Sequence, residues 1–328
     1  MSPAPMLEAI TPAKPRGGRK TGAFRRDDRH CMTIMPQSRR GLPRASAFER
    51  GTGGTICVIC PEDPNRIAPM PDTTTPRDST AQKNSPSYRL AALDRDFILG
   101  DSTRGARFML EYQKAEDHLR ARGIVSTIVV FGSARVREGE PWYEAARAFA
   151  RLASERGGAL AEGSSGRDHV IATGGGPGIM EAANRGATEA GALSIGFNII
   201  LPHEQEPNAW STPDLTFRFH YFAMRKMHLA MRAAALVVFP GGFGTLDELF
   251  EIMTLVQTGK MGPVPIVLYD SAYWKALLNL EVMADAGMIR PEDLTLFCHA
   301  DTPEEAYARI VEGAGDSWRP AADDSVQT

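Results

Sequence analysis

Short apolar runs recur along the chain from residue 127 onward, and each has the length and apolar character of a buried strand. They lie at 127–131, 169–173, 194–199, 236–239, 265–269 and 296–299. Segments with apolar residues at helical spacing lie between them, near 141–156, 178–190, 222–234, 245–258, 273–286 and 303–313. Strands that alternate with helices imply right-handed crossovers and a parallel sheet with helices on both faces. The pattern therefore predicts an α/β fold with a Rossmann-like, doubly wound parallel sheet.

The segments that flank this alternating region lack its periodicity. Residues 1–90 are rich in Pro, Gly, Ser, Thr and Arg, which predicts a disordered basic extension. A helix is predicted over 104–122, where apolar residues share one side. The predicted organisation is therefore an extension over 1–90, a single Rossmann-like catalytic domain over 91–318 and a disordered tail over 319–328.

The net charge of −3 conceals an uneven distribution along the 328 residues. Residues 1–50 contain 11 Lys and Arg against 4 Asp and Glu, whereas the chain from residue 71 onward is acidic. An acidic domain argues against a general nucleic-acid surface, and no apolar stretch has the roughly 18 residues that a membrane helix requires. The four cysteines form no disulfide framework, and Cys57-Val-Ile-Cys60 lacks the second pair of a metal site. We therefore expect a cytoplasmic protein without a metal or cofactor.

Three of the predicted strands run into loops of small residues, at 131–135, 173–181 and 240–245. Because the carboxyl ends of parallel strands share one edge of the sheet, we expect these loops to converge on one crevice. The helix that follows 240–245 offers unpaired N–H groups in its first turn, which predicts a phosphate site. The glycine spacing fits neither the dinucleotide fingerprint nor the P-loop of NTPases. A carboxylate one turn into the same helix, Glu248, indicates a sugar phosphate or nucleotide with chemistry away from the phosphorus.

Spacing alone leaves the charged residues near this loop ambiguous. Arg225 and Lys226 could form a solvated helix face, and Glu248 could be an ordinary first-turn acid favoured by the helix dipole. Met224 belongs to an apolar stripe typical of a core, and His228 is more typical of a structural residue than of a catalytic one.

A family resemblance involves these same residues. Residues 240–248 have the sequence PGGFGTLDE, which resembles the P-G-G-x-G-T-x-x-E motif of the LONELY GUY (LOG) family. The sequence MRK at 224–226 is similar to the element that accompanies this motif, and 174–180 is similar to the family's glycine-rich loop. Members are cytokinin riboside 5′-monophosphate phosphoribohydrolases, formerly labelled lysine decarboxylases. The resemblance covers residues 125–315.

The resemblance implies a Rossmann-like homodimer or higher homo-oligomer that hydrolyses the N-glycosidic bond of a nucleoside 5′-monophosphate. The products would be a free base and ribose 5-phosphate, and the substrate either AMP, as for an AMP nucleosidase, or a cytokinin-type N6-substituted AMP. Neither a nucleic acid nor a membrane is an expected partner. The alternative is a non-catalytic carrier of a phosphorylated ligand, like the molybdenum-cofactor carriers, which would not need both Arg225 and Glu248.

The resemblance places Arg225 and Glu248 on the family's catalytic pair. Glycoside cleavage passes through an oxocarbenium-like state that a carboxylate stabilises, and we expect Arg225 to orient Glu248 and keep it ionised. No group that protonates the leaving base is evident. The loops and the resemblance together predict the substrate-binding residues, which are Gly132, Ser133, Gly175, Gly176, Glu204, Met224, Lys226, Gly241, Gly242, Phe243, Gly244, Thr245, Leu246 and Thr254.

Overall fold

The structure, a computed structural model, describes residues 78–161, 166–201 and 206–315. Within them, seven strands form one parallel sheet in the order β4-β3-β2-β1-β5-β6-β7. The strands are β1 (Thr127–Phe131), β2 (Val170–Thr173), β3 (Ser194–Ile199), β4 (Thr216–Phe219), β5 (Ala233–Val238), β6 (Ile266–Tyr269) and β7 (Cys298–Ala300). The predicted α/β fold class is confirmed.

Helices connect the strands and cover both faces of the sheet. Those before and within the first half of the sheet are α1 (Thr80–Lys83), α2 (Arg95–Leu99), α3 (Arg104–Ala121), α4 (Pro141–Arg156) and α5 (Ile179–Glu189). Those of the second half are α6 (Phe222–Met231), α7 (Phe243–Gln257), α8 (Ser271–Leu277), α9 (Glu281–Asp285) and α10 (Pro303–Ala314). None of these described helices is long and apolar enough to cross a membrane.

The core lies in two layers because alternate strand residues point to opposite faces. In β1, Ile128 and Val130 pack with Phe149 of α4 and Ile310 of α10. Val129 of the same strand packs on the other face. There it belongs to a cluster with residues of α3, α6 and α7, namely Leu119, Leu229 and Leu249.

The strand order places a topological switch point at the centre of the sheet. The chain proceeds outward from β1 through β2 and β3 to β4, and then returns to add β5 on the other side of β1. Phe131 at the end of β1 pairs in register with Val238 at the end of β5. Loops that leave β1 and β5 therefore diverge to opposite faces, and ligands of such sheets bind in the crevice between them.

The structure differs from the predicted elements at three places. Strand β4 was missed because it has only four residues and lies at the sheet edge, with Arg218 exposed between two buried phenylalanines. Residues 233–234, at the end of the predicted helix 222–234, belong to β5, where pairing with the central strand β1 overrides the helix propensity of the two alanines. The helix predicted over 273–286 is divided into α8 and α9, since Leu278 between them has an extended backbone.

The predicted domain boundaries at 90 and 318 stay predictions. Residues 1–77 and 316–328 lie outside the described residues, and the cytoplasmic location is likewise untested. The described chain begins at residue 78, within the predicted extension, and α1 there buries none of its residues.

Candidate active site

A cleft of about 680 Å³ opens at the switch point, along the carboxyl edge of the sheet. The loops that follow β1, β2 and β5 meet there, as predicted. Ten of the predicted site residues line the cleft, namely Gly132, Ser133, Gly176, Arg225, Gly241, Gly242, Phe243, Gly244, Thr245 and Leu246.

The loop between β5 and α7 has the features of an anion site. The N–H groups of Thr245 and Leu246 both donate to the Gly242 carbonyl at 3.0 Å, which starts helix α7. The N–H groups of Gly242, Phe243 and Gly244 have no acceptor among the described residues. Together with the positive end of the helix dipole, these free donors favour a bound phosphate. We call residues 241–245 the anion loop.

A glycine is required at the start of the anion loop for packing. A Cβ added at Gly241 would overlap the Thr245 side chain, which is itself buried. Without a side chain at this position, the loop turns tightly onto its own helix and exposes its N–H groups to the cleft.

The glycine loop after β2 forms the opposite wall of the cleft. Gly175 donates its N–H to Thr173 Oγ1 at 2.9 Å, and its carbonyl accepts from the Asn208 N–H at 2.9 Å. The Asn208 amide donates to the Gly176 carbonyl at 3.0 Å. Gly178 has φ +72, and a Cβ there would overlap the Ser133 backbone of the β1 loop. The two loops can therefore pack directly against each other.

Arg225 lines the cleft and pairs with Glu248, which is not itself one of the lining residues. Arg225 Nη2 donates to Glu248 Oε1 at 3.2 Å, and their side chains are only 10% and 5% exposed. The guanidinium lies 5.8 Å from the ring centres of both Phe131 and Phe222. Its Nε has no hydrogen-bond partner among the described residues. The pair is thus buried, held between aromatic rings and incompletely hydrogen bonded.

Burial sets the protonation of this pair. It raises the pKa of Glu248 to about 7, and the positive charges of Arg225 and Lys226 only partly oppose the rise. Arg225 favours the ionised form of Glu248, as expected, but desolvation outweighs this attraction. Burial also lowers the pKa of Arg225, but an arginine stays protonated at neutral pH. Both protonation states of Glu248 are consequently populated near neutral pH.

Lys226 faces a different part of the surface. Its Nζ lies 2.8 Å from Asp247 Oδ2 and 3.0 Å from Glu251 Oε2. Burial acts to lower the pKa of Lys226, but the hydrogen bonds to these carboxylates outweigh it and raise the pKa. Lys226 and Thr254 line a separate groove of about 650 Å³ beside the cleft. The lysine charge is therefore already engaged by two carboxylates.

The remaining predicted residues lie behind the cleft or outside the described part. Met224 packs against the hydrophobic core on the α6 face. Gly175 abuts the side chain of Asn198 rather than the open cleft. Glu204 falls between the described segments, so its placement as a ligand contact stays a prediction.

Three polar residues that line the cleft were not predicted as site residues, namely Arg135, Asn198 and Tyr273. Tyr273 donates its hydroxyl to the Gly241 carbonyl at 2.8 Å, so α8 supports the anion loop. Helix α8, which positions Tyr273, begins after Asp270, because the Asp270 carboxylate caps the helix by accepting the Tyr273 N–H at 3.0 Å. An aspartate three residues before the tyrosine signals the helix start, but no sequence signal shows that the tyrosine reaches a loop 32 positions away.

Tyr273→Phe is expected to weaken nucleotide binding while largely preserving kcat. The change removes one hydrogen bond to the anion loop, worth about 1 kcal/mol, which corresponds to a KM about fivefold higher. Steady-state kinetics with AMP would measure this, and Tyr307→Phe on α10 provides a control outside the cleft. A lowered kcat with an unchanged KM would contradict this positioning role.

The fold and the cleft define a Rossmann-like protein with an anion-binding loop beside a buried Arg–Glu pair. A family model described as "Possible lysine decarboxylase" matches residues 180–310. Probable cytokinin riboside 5′-monophosphate phosphoribohydrolase LOG4 of Oryza sativa subsp. japonica is 29% identical, over 59% of this chain and 80% of the relative. Cytokinin riboside 5′-monophosphate phosphoribohydrolase LOG3 of Arabidopsis thaliana is 27% identical, over 44% of this chain and 67% of the relative.

Among solved structures, the molybdenum cofactor binding protein of Rippkaea orientalis matches with a TM-score of 0.38 at 19% identity. That match covers 58% of this chain and 96% of the other. The family model and the plant relatives show that the chain is similar to members of the LOG family, which confirms the resemblance predicted from residues 240–248.

Proposed function

We propose that this protein hydrolyses the N-glycosidic bond of a nucleoside 5′-monophosphate, releasing a free base and ribose 5-phosphate. The observation that carries the proposal is the buried Arg225–Glu248 pair, whose arginine lines the same cleft as the anion loop. The anion loop supplies a phosphate site, and the carboxylate lies one helical turn beyond it. The names of the similar plant proteins describe this class of reaction.

Glu248 is the group that acts at the ribose. Cleavage develops positive charge at the anomeric carbon, which a carboxylate beside the ring stabilises. A water oxygen bonds to C1′, its proton passes to Glu248, and the electron pair of the C1′–N9 bond leaves with the base. A pKa of about 7 suits a residue that accepts and returns a proton near neutral pH.

Arg225 holds Glu248 in place and supplies a positive charge at the floor of the cleft. Its Nη2 binds the carboxylate, and the rings of Phe131 and Phe222 flank the guanidinium. Its Nε is buried without a partner among the described residues, so the guanidinium is incompletely hydrogen bonded. It acts as an orienting and electrostatic group, since its proton is not released at neutral pH.

A carrier of a phosphorylated ligand would need the anion loop but not a buried carboxylate of raised pKa. A buried carboxylate near a phosphate costs binding energy, so its presence favours chemistry over storage. Within the proposed class, AMP and N6-substituted AMP are the substrates we favour, and AMP nucleosidase activity belongs to this proposal.

Incubation of the protein with a panel of nucleoside 5′-monophosphates tests the activity directly. We expect chromatography to detect free adenine or N6-substituted adenine together with an equal amount of ribose 5-phosphate. Stoichiometric binding of the nucleotides without release of base would favour the carrier instead.

We further propose that the protein forms a homodimer through the surface beside the site. Exposed apolar side chains lie on α3, α6 and α7, namely Met109, Leu110, Phe222, Met227, Met231 and Phe243. An exposed apolar patch is typical of interfaces, and we propose that these side chains form one. Light scattering should therefore give the mass of a dimer, and Met231→Asp should reduce it to that of a monomer.

A matched control is Leu160→Asp, at an exposed apolar residue that follows α4 and lies outside α3, α6 and α7, and the mass of this variant should stay dimeric. Because Arg225 and Glu248 already pair within one chain, mixing inactive Arg225→Ala and Glu248→Gln proteins should restore no activity. A monomeric mass for the unaltered protein, or restored activity on mixing, would contradict this arrangement.

A further inference from the structure

Asn198 presents an amide to the far end of the cleft. The residue is half-buried near the end of β3, and its Nδ2 is shielded from solvent without a hydrogen-bond partner among the described residues. It lines both the main cleft and an adjoining cavity of about 460 Å³. An amide N–H without a partner is costly, so a ligand that supplies the partner gains affinity once the side chain turns its Nδ2 toward the cleft.

The absence of a side chain at Gly175 makes room for this amide. A Cβ at Gly175 would overlap the Asn198 side chain, and φ at this glycine is +70. The glycine loop is held in that position by Asn208 and Thr173, through the Gly175 carbonyl and N–H. The role of Gly175 is therefore to leave space for the Asn198 side chain rather than to contact the ligand directly.

The position of Asn198 along the sheet edge matches the base of a bound nucleotide. The anion loop follows β5, and three strand steps separate β5 from β3 through β1 and β2. At about 4.8 Å per step, the span is about 14 Å, comparable to the length of an extended nucleoside monophosphate. Arg225 lies between these ends, because its Nη2 is close to Gly174 in the loop after β2. Phosphate, ribose and base would then follow one another along the edge.

We infer that Asn198 binds the nucleobase and determines the preference for adenine, an inference that rests on the proposed hydrolysis of a nucleotide. An asparagine amide accepts from adenine N6–H and donates to N7, a bidentate pairing specific for this base. Rotation of the amide exchanges its oxygen and nitrogen, so either orientation is available. The donor at N7 also stabilises the electron pair that the base takes when the C1′–N9 bond breaks.

Calorimetric binding to the full-length Glu248→Gln protein tests this without turnover. The probes are AMP, 7-deaza-AMP and ribose 5-phosphate, measured with Asn198 present and after Asn198→Ala. We expect Asn198→Ala to weaken AMP binding about tenfold, to abolish the difference between AMP and 7-deaza-AMP, and to leave ribose 5-phosphate unchanged. Asn198→Asp, which keeps the size but loses the N7 donor, should abolish the same difference.

Other results separate the inference from the function on which it rests. A difference between AMP and 7-deaza-AMP that persists in both variants would overturn the base contact. An equal loss for ribose 5-phosphate would make Asn198 a ribose contact and overturn it as well. If ribose 5-phosphate binds but AMP affinity is unchanged by Asn198→Ala, only this inference fails. If neither probe binds the Glu248→Gln parent, the proposed function and the inference fail together.

Discussion

Glu248→Gln is expected to lower kcat for nucleotide hydrolysis at least about 100-fold, the usual contribution of a positioned acid–base group. Glutamine keeps the size of the side chain and can still accept the Arg225 hydrogen bond, so the fold and ligand binding should persist. It can neither carry the negative charge that stabilises the oxocarbenium-like state nor take a proton from water. Release of adenine from AMP, followed chromatographically, measures the loss.

Glu251→Gln provides a matched control on the same helix. Glu251 lies one turn further along α7 and binds Lys226 in the neighbouring groove, outside the main cleft. We expect the kcat of the Glu251→Gln protein to remain within a few-fold of the kcat of the unaltered protein. Near-normal turnover by a folded Glu248→Gln protein, or an equal loss in both variants, would rule out the proposed role of Glu248.

The pH dependence of the reaction follows from the same carboxylate. The pKa of Glu248 is raised to about 7 by burial, and only the ionised form is a base. The value of kcat/KM should therefore rise with pH through about 7 and level off above it. This rise of kcat/KM with pH should be absent in the Glu248→Gln protein. The second ionisation of the substrate phosphate, near pH 6, lies below this range. A rate that instead falls as pH rises through 7 would assign Glu248 the role of an acid.

Removal of the 5′-phosphate from the substrate is expected to lower kcat/KM about 1,000-fold, so AMP should be cleaved and adenosine hardly at all. The N–H groups of Gly242, Phe243 and Gly244 have no acceptor among the described residues, and a phosphate would satisfy them. Hydrogen bonds to a charged group contribute about 1.5–3 kcal/mol each, so two or three of them account for the roughly 4 kcal/mol that this factor represents.

A variant of the anion loop tests the same site from the protein side. Gly241→Ala would place a methyl group against Thr245 and displace the loop, so we expect a large loss for AMP and little change for adenosine. Gly262→Ala is the control, since a Cβ there meets no neighbouring atom and the residue lies beyond α7. Comparable kcat/KM values for AMP and adenosine in the unaltered protein would refute a phosphate role for the loop.

The sequence by itself determined the architecture, because the local spacing of apolar residues differs between strands and helices and can be read directly from the sequence. Six apolar runs correspond to six of the seven strands in the described residues, and only the short edge strand Thr216–Phe219 lacked such a run. The glycine-rich loops were equally visible, since a loop that must approach a ligand or a neighbouring backbone requires small residues. The motif resemblance then selected Arg225 and Glu248 from the charged residues nearby.

The tertiary structure decided which of these charges can act. Asp247 and Glu248 are adjacent acids in the second turn of α7, yet Asp247 is 54% exposed and bound to Lys226, whereas Glu248 is 5% exposed. The difference arises because the face of α7 that carries Thr245, Glu248 and Ile252 packs inward. That burial is the main cause of the raised pKa of Glu248, and no spacing rule conveys it.

Contacts between distant segments were also decided by the tertiary structure alone. Asn198 and Tyr273 line the same cleft as the anion loop because the sheet order brings the ends of β3, β5 and β6 to one edge. Sequence periodicity defines each element and the face that it buries. The order in which strands pair depends on the free energy of the whole core, so residues far apart in the chain meet only once that order is set.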